Sequence, residues 1–246
     1  RALLHAGFMP FWTGDDDRAS VLFADALAIG RGIADAPLTS QAIGGLARVA
    51  LRTDVAKGRL LAREALDVSV AADDEPGRSN ALHLLGVGAQ IAGDLPEART
   101  WMTERLALVR RQGNDFLVAS EAGNLSMVER QLGDLDTAES LAREALGICQ
   151  RIGDRFMPPF LFSGLAAIAV ERGDLDRAAT LIGAAEAHLK TANMAWPPDE
   201  RPHYERTMAV LTERLAPDAL AADRARGAAM SGQEAIAFAL EDDPVD

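Results

Sequence analysis

The chain has 246 residues, enough for one large domain or two small ones. Its 25 Lys and Arg stand against 37 Asp and Glu, a formal charge of −12 that offers no basic stripe to a phosphate backbone, so direct nucleic-acid binding is not expected. One cysteine excludes an internal disulfide, and no run approaches the roughly 20 consecutive apolar residues that cross a bilayer, so the expectation is a cytoplasmic protein that engages no membrane. In chain order, Arg1 opens without an initiator Met or a signal-peptide pattern, as expected of a piece of a longer protein. Gly14-Asp15-Asp16-Asp17-Arg18-Ala19 follows, and then the weaker Thr53-Asp54-Val55-Ala56-Lys57-Gly58. Gly93-Asp94-Leu95-Pro96-Glu97-Ala98, Gly133-Asp134-Leu135-Asp136-Thr137-Ala138 and Gly173-Asp174-Leu175-Asp176-Arg177-Ala178 continue the series at intervals of 39, 40, 40 and 40.

Each of the five units reads as two helices joined at that turn. Gly supplies the left-handed conformation that ends the first helix, and Asp offers an acceptor and a negative charge to the start of the second. In the second unit Leu46-Ala47 falls in register if the turn is one residue shorter. First helices carry a small residue seven before the Gly (Gly7, Gly86, Ser126, Ala166), usually after Leu. Second helices repeat a small residue at Ala19, Gly58, Ala98, Ala138 and Ala178, a large one three later, and usually Ala four beyond that. Small residues at recurring positions let helices approach closely, the inner chemistry of a stacked solenoid. Beyond Pro197-Pro198 about three more helices are expected, with Pro217 splitting the first two and Ser231 with Glu234 making a capping box for the last.

The Gly-Asp-Leu-x-x-Ala turn, the small-residue positions and the later Ala, as in Ala138 and Ala145, resemble the tetratricopeptide repeat. The long period resembles the repeat region of bacterial regulators of the MalT and LuxR type, in which a signal-transduction ATPase precedes helical repeats. Leu181-Ile182-Gly183-Ala184-Ala185-Glu186-Ala187, Trp196-Pro197-Pro198 with Tyr204-Glu205-Arg206, and the segment from Met230 to Leu240 resemble the closing region of actinobacterial members. The resemblance implies an all-α, right-handed superhelical solenoid of about five tetratricopeptide-like helix pairs over residues 1–192. A C-terminal helical cap over 193–241 and a linker or tail over 242–246 complete it.

The search for chemistry returns little. No two of His5, His83, His188 and His203 have the i, i+4 spacing of a helical zinc site, neither Lys57 nor Lys190 follows a phosphate loop, and Gly86-x-Gly88 lacks the rest of a dinucleotide fingerprint. No metal, cofactor or catalytic residue is expected. Asp15-Asp16-Asp17 reads as a solvated helix start, and Cys149 as a core residue on an apolar face. Trp101 reads as core by register; Trp12 and Trp196 are the two tryptophans with a route to the surface.

What remains is surface. The resemblance places first helices along a concave groove, with Asn80, His83, Val87 and Gln90 from the third unit. Ser120, Met127, Arg130 and Gln131 come from the fourth, and Phe160, Ser163 and Val170 from the fifth. A clamp for a peptide carboxylate would need cations where His83 and Gly123 stand, although Asn124 matches one clamp asparagine. The expected function is a non-catalytic interaction and effector-sensing region of a LuxR-type regulator. It would hold a protein, peptide or small effector in the groove, contact the other domains of its parent, and possess a surface for homo-oligomers. The alternative is a stand-alone peptide-binding scaffold or peptide-pheromone receptor.

Overall fold

The computed structural model describes residues 1–197 and 200–241. Pro198 and the tail expected over 242–246 lie outside the described residues. Among the described residues the chain forms thirteen α-helices and no strand, in two compact units, Arg1–Gln112 and Gly113–Asp246. The first unit holds α1 (Ala2–Thr13), α2 (Asp16–Gly32), α3 (Ala36–Thr53), α4 (Val55–Ala71), α5 (Glu75–Ile91) and α6 (Leu95–Arg111). The second holds α7 (Asp115–Gln131), α8 (Leu135–Ile152), α9 (Pro158–Arg172), α10 (Leu175–Thr191), α11 (Arg201–Arg214), α12 (Pro217–Ala228) and α13 (Gly232–Leu240).

The turn chemistry follows the repeat. Gly14, Gly93, Gly133 and Gly173 sit at φ of 82°, 80°, 86° and 88°, a conformation that costs a side-chain-bearing residue about 1–2 kcal/mol. The next residue, Asp, caps the following helix in each pair. Asp15, Asp94, Asp134 and Asp174 accept from the backbone N–H of Arg18, Glu97, Thr137 and Arg177 at 3.1, 3.2, 3.1 and 3.0 Å. The second turn lacks the glycine and is one residue shorter. There Asp54 ends α3 and also caps α4, accepting from Lys57 N–H at 3.0 Å.

Turns between pairs repeat as well. Ala34, Asp73, Gly113, Gly153 and Asn193 all have positive φ (54°, 53°, 66°, 70° and 53°), spaced by 39, 40, 40 and 40 residues. Asp35 and Asn114 then cap α3 and α7, while Asp74 instead accepts from Ser40 Oγ at 3.1 Å.

Close approach is built from small residues. The Phe23 ring lies between Gly7 and Gly45, where an added Cβ would stand 2.6 and 2.5 Å from it, and Phe23 is fully buried. Ala19, Ala98, Ala138 and Ala178 are fully buried at the recurring small position of the second helices, and Ser126 Oγ donates to Ala138 C=O at 2.6 Å. In the second unit α12 packs on α10 backbone to backbone: a Cβ on Gly183 would lie 2.0 Å from Arg224 O, and one on Gly227 1.8 Å from Thr180 O. The Arg224 guanidinium pairs with Glu186 at 2.7 Å across the same crossing. Helix α13 starts with a two-way capping box between Ser231 and Glu234. It ends with Arg143 of α8 and Arg177 of α10 donating to the Glu241 carbonyl at 2.7 and 3.0 Å, cations where the helix dipole is negative.

Candidate binding surface

On α5, Asn80, His83, Val87 and Gln90 are half-buried. Asn80 Oδ1 accepts from Arg48 at 2.8 Å. Behind His83 stands Arg105 of α6, which is 6% exposed. Its Nη1 lies 3.3 Å from His83 Nδ1 and its Nε donates to Ser79 Oγ at 3.4 Å. Arg105 occupies the register at which the other second helices carry the buried alanines Ala26, Ala65, Ala145 and Ala185. That single break in the small-residue pattern is the sequence signal for it, and it puts a guanidinium against the inner helix of the third pair.

In the second unit Ser120, Asn124, Met127 and Arg130 of α7 are half-buried and Gln131 is exposed. Asn124 Nδ2 donates to Glu121 Oε2 at 3.4 Å. Arg130 pairs with Glu171 of α9. On α9 Phe160 and Val170 are half-buried, whereas Ser163 is buried in the helix packing at 5% exposure. The Arg130 charge extends to α11: burial first, then Arg206 and Arg130, hold the His203 ring at about 4 instead of 6.5. A neutral imidazole is the consequence, its Nδ1 taking a hydrogen bond from Arg206 at 2.8 Å.

A strip of rings crosses the same unit. Phe156, 50% exposed, meets Phe160 edge-on at 5.5 Å; Phe160 meets Trp196 edge-on at 6.1 Å; Trp196 stacks on Tyr204 at 4.6 Å. Tyr204 Oη donates to Glu186 at 2.6 Å, and burial followed by that carboxylate raises the phenol to about 12. A solvent-open depression lined by Glu186, Lys190, Asn193, Met194 and Trp196 adjoins the strip. Phe156 and Tyr204 escape sequence reading because neither falls at a repeat position: one precedes α9 and the other follows a proline-rich loop.

The other tryptophans differ. Trp12 is 60% exposed and edge-on to Phe11, while Trp101 is half-buried, donating to Glu97 at 3.0 Å with Arg63 over its ring at 4.6 Å. Cys149 is buried, and burial with the nearby Asp154 charge pushes its thiol up to about 12, which leaves no thiolate for nucleophilic chemistry at neutral pH. Among the described residues no helix is long and apolar enough to cross a membrane, and no group of three His, Cys, Asp or Glu is placed to hold a metal ion.

Charge is divided unevenly. Residues 1–112 carry 13 Lys and Arg against 14 Asp and Glu, net −1; residues 113–246 carry 12 against 23, net −11.

Comparison with known proteins places this geometry. A family model described as the MalT-like TPR region matches residues 42–197. Among solved structures, BtubC (BKLC) from P. vanneervenii aligns with a TM-score of 0.64 at 20% identity, over 91% of this chain and 87% of that one. A Rap protein complexed with Competence and Sporulation Factor aligns with a TM-score of 0.67 at 16% identity, over 90% of this chain, which spans 65% of the Rap chain. No curated protein matches the chain. At these identities the likeness to both structures is one of fold, an all-α helical-repeat solenoid.

Proposed function

The chain belongs to the MalT-like TPR region family, and on that premise we propose that it is a non-catalytic protein-interaction and effector-sensing module of a bacterial LuxR-type transcriptional regulator. Its role is to couple binding of a ligand or partner to the ATPase and DNA-binding domains of the parent by population shift. The observation that carries this reading is the strip of aromatic rings in the second unit. Phe156 is 50% exposed and Phe160 and Trp196 are half-buried, a run of rings with surface left open beside the Tyr204–Glu186 hydrogen bond. Open aromatic surface with a few oriented polar groups is what anchors ligands at interaction sites. Sequencing the gene on both sides tests the regulator context. A phosphate-binding loop upstream or a helix-turn-helix downstream supports it; start and stop codons close to either end overturn it.

A second reading, a self-contained peptide-binding module, is favoured by one observation, the fold shared with the Rap protein complexed with Competence and Sporulation Factor. Its test is a peptide array probed with the chain, hits being titrated by Trp196 fluorescence in a Trp12→Phe, Trp101→Phe background. Micromolar binding that weakens at least about tenfold in Phe156→Ala, and not in Val21→Ala on α2, supports this reading. Absence of any binder, or equal loss in both variants, removes it.

A further inference from the structure

Glu186 of α10 is held from two sides. Tyr204 Oη, in the first turn of α11, donates to Glu186 Oε1 at 2.6 Å, and Nη2 of Arg224, on α12, donates to Oε1 at 2.8 Å and to Oε2 at 2.7 Å. A guanidinium meets a carboxylate best through two nitrogens on one edge, each giving a hydrogen bond to its own oxygen. Here a single nitrogen serves both oxygens. Among the described residues the neighbouring Nε of Arg224, which is buried, has no partner, and Oε2 accepts from Nη2 alone. A buried donor without a partner forfeits the hydrogen bond that water gives it in the unfolded chain. Because Nε shares its carbon with Nη2, a turn of the carboxylate would supply the missing acceptor. Tyr204 prevents that turn. Its phenol, raised to about 12, keeps its proton at neutral pH and pins Oε1, while its ring stacks on Trp196 at 4.6 Å in the aromatic strip. Arg224 is fixed as well, since its carbonyl lies where α12 crosses Gly183, one turn before Glu186.

We propose that Glu186 is a two-position switch between Tyr204 and Arg224. With Tyr204 in place the carboxylate is divided between α11 and α12. With Tyr204 drawn towards a ligand on the strip, the carboxylate turns to close on Nε and Nη2 of Arg224 together, and α12 is held more firmly on α10. This switch rests on the reading that the strip takes a ligand, and it fixes the sign of the response: occupancy tightens α12. An ordinary tertiary hydrogen bond has the opposite sign, because its removal loosens the helices that it joins.

Hydrogen exchange of the whole chain tests the sign without a ligand, because Tyr204→Phe keeps a ring against Trp196 and removes only the donor. The expected result is about tenfold slower exchange across α12 (Pro217–Ala228), equal to about 1.4 kcal/mol, with α7 and α8 at wild-type rates. In Glu186→Gln α12 exchanges faster than in the wild type, and adding Tyr204→Phe to that variant no longer slows it. The Nε–H proton resonance of Arg224, identified by its loss in Arg224→Lys, moves downfield in Tyr204→Phe. Exchange of α12 that is unchanged or faster in Tyr204→Phe overturns the switch. Slowing that persists in the Glu186→Gln background, or that comes without the shift of the Nε–H resonance, overturns it equally. A peptide array without hits removes the ligand and leaves these results standing, whereas hits together with an unmoved α12 keep the ligand and remove the switch.

Discussion

Ala34 holds a Cβ at φ 54°, at a place that glycine fills in two of the other four turns between pairs, at Gly113 and Gly153. A left-handed alanine costs about 1–2 kcal/mol, and glycine returns part of that as added freedom in the unfolded chain. Ala34→Gly is expected to stabilise the protein by about 1 kcal/mol, read as a higher urea midpoint at unchanged m-value. His203 makes a second prediction at this scale. Its ring is held at about 4 by burial and by Arg206 and Arg130, against 6.5 when unfolded, so between these values the unfolded chain binds the proton and the folded chain does not. The stability tied to His203 is thus complete above pH 6.5 and lost as pH falls towards 4. Urea unfolding across that range should show a steeper decline for the wild type than for His203→Gln, the difference closing above pH 6.5. Parallel curves would place the proton on another group. Arg105 illustrates what a residue conceals: its sequence neighbours mark an ordinary second helix, and only the alanine expected in its place reveals that a charge enters the packing.

Pairs of helices are where glycine becomes a packing residue, and two substitutions separate the kinds of contact. A Cβ on Gly86 meets the Met102 side chain at 2.7 Å, whereas on Gly183 it meets the Arg224 carbonyl at 2.0 Å. Methionine can rotate and a crossing backbone cannot, so Gly86→Ala is expected to cost about 1 kcal/mol and Gly183→Ala about 3 kcal/mol or more. Thermal unfolding of both variants measures the difference, and hydrogen exchange should place the second loss in α10 and α12. The turns inside the pairs were legible in sequence because Gly and Asp recur there for separate physical reasons, one for φ and one for capping. Turns between pairs were not, since Ala34, Asp73 and Asn193 adopt the left-handed region without glycine. Ser163 and Gln131 show the same limit at the candidate surface. A helical register names the side facing inward, but neighbouring helices decide whether that side is covered, as at Ser163, or left in solvent, as at Gln131. The aromatic strip depended on Trp196 and Tyr204, brought together by a loop that carries no periodic signal.

Across the molecule, a repeat array distributes its stability locally, because within each unit a helix pair contacts chiefly the pairs beside it. Phe23 tests how far that holds. Its ring fills the space between Gly7 of α1 and Gly45 of α3, and Phe8 meets it edge-on at 5.3 Å. Removing the ring leaves two glycines facing a void that neither can fill, and a buried Phe→Ala change costs about 3–5 kcal/mol. In a globule with one core that loss would lower protection everywhere. In this array Phe23→Ala should raise hydrogen exchange in α1, α2 and α3 by two or more orders of magnitude, since about 1.4 kcal/mol is tenfold, while α9, α10 and α12 exchange at wild-type rates. Acceleration of similar size in α9 and α12 would mean that the whole chain opens as one cooperative body. A ligand bound at the aromatic strip would then reach α1 through global stability, whereas with the local pattern α1 exchanges independently of it.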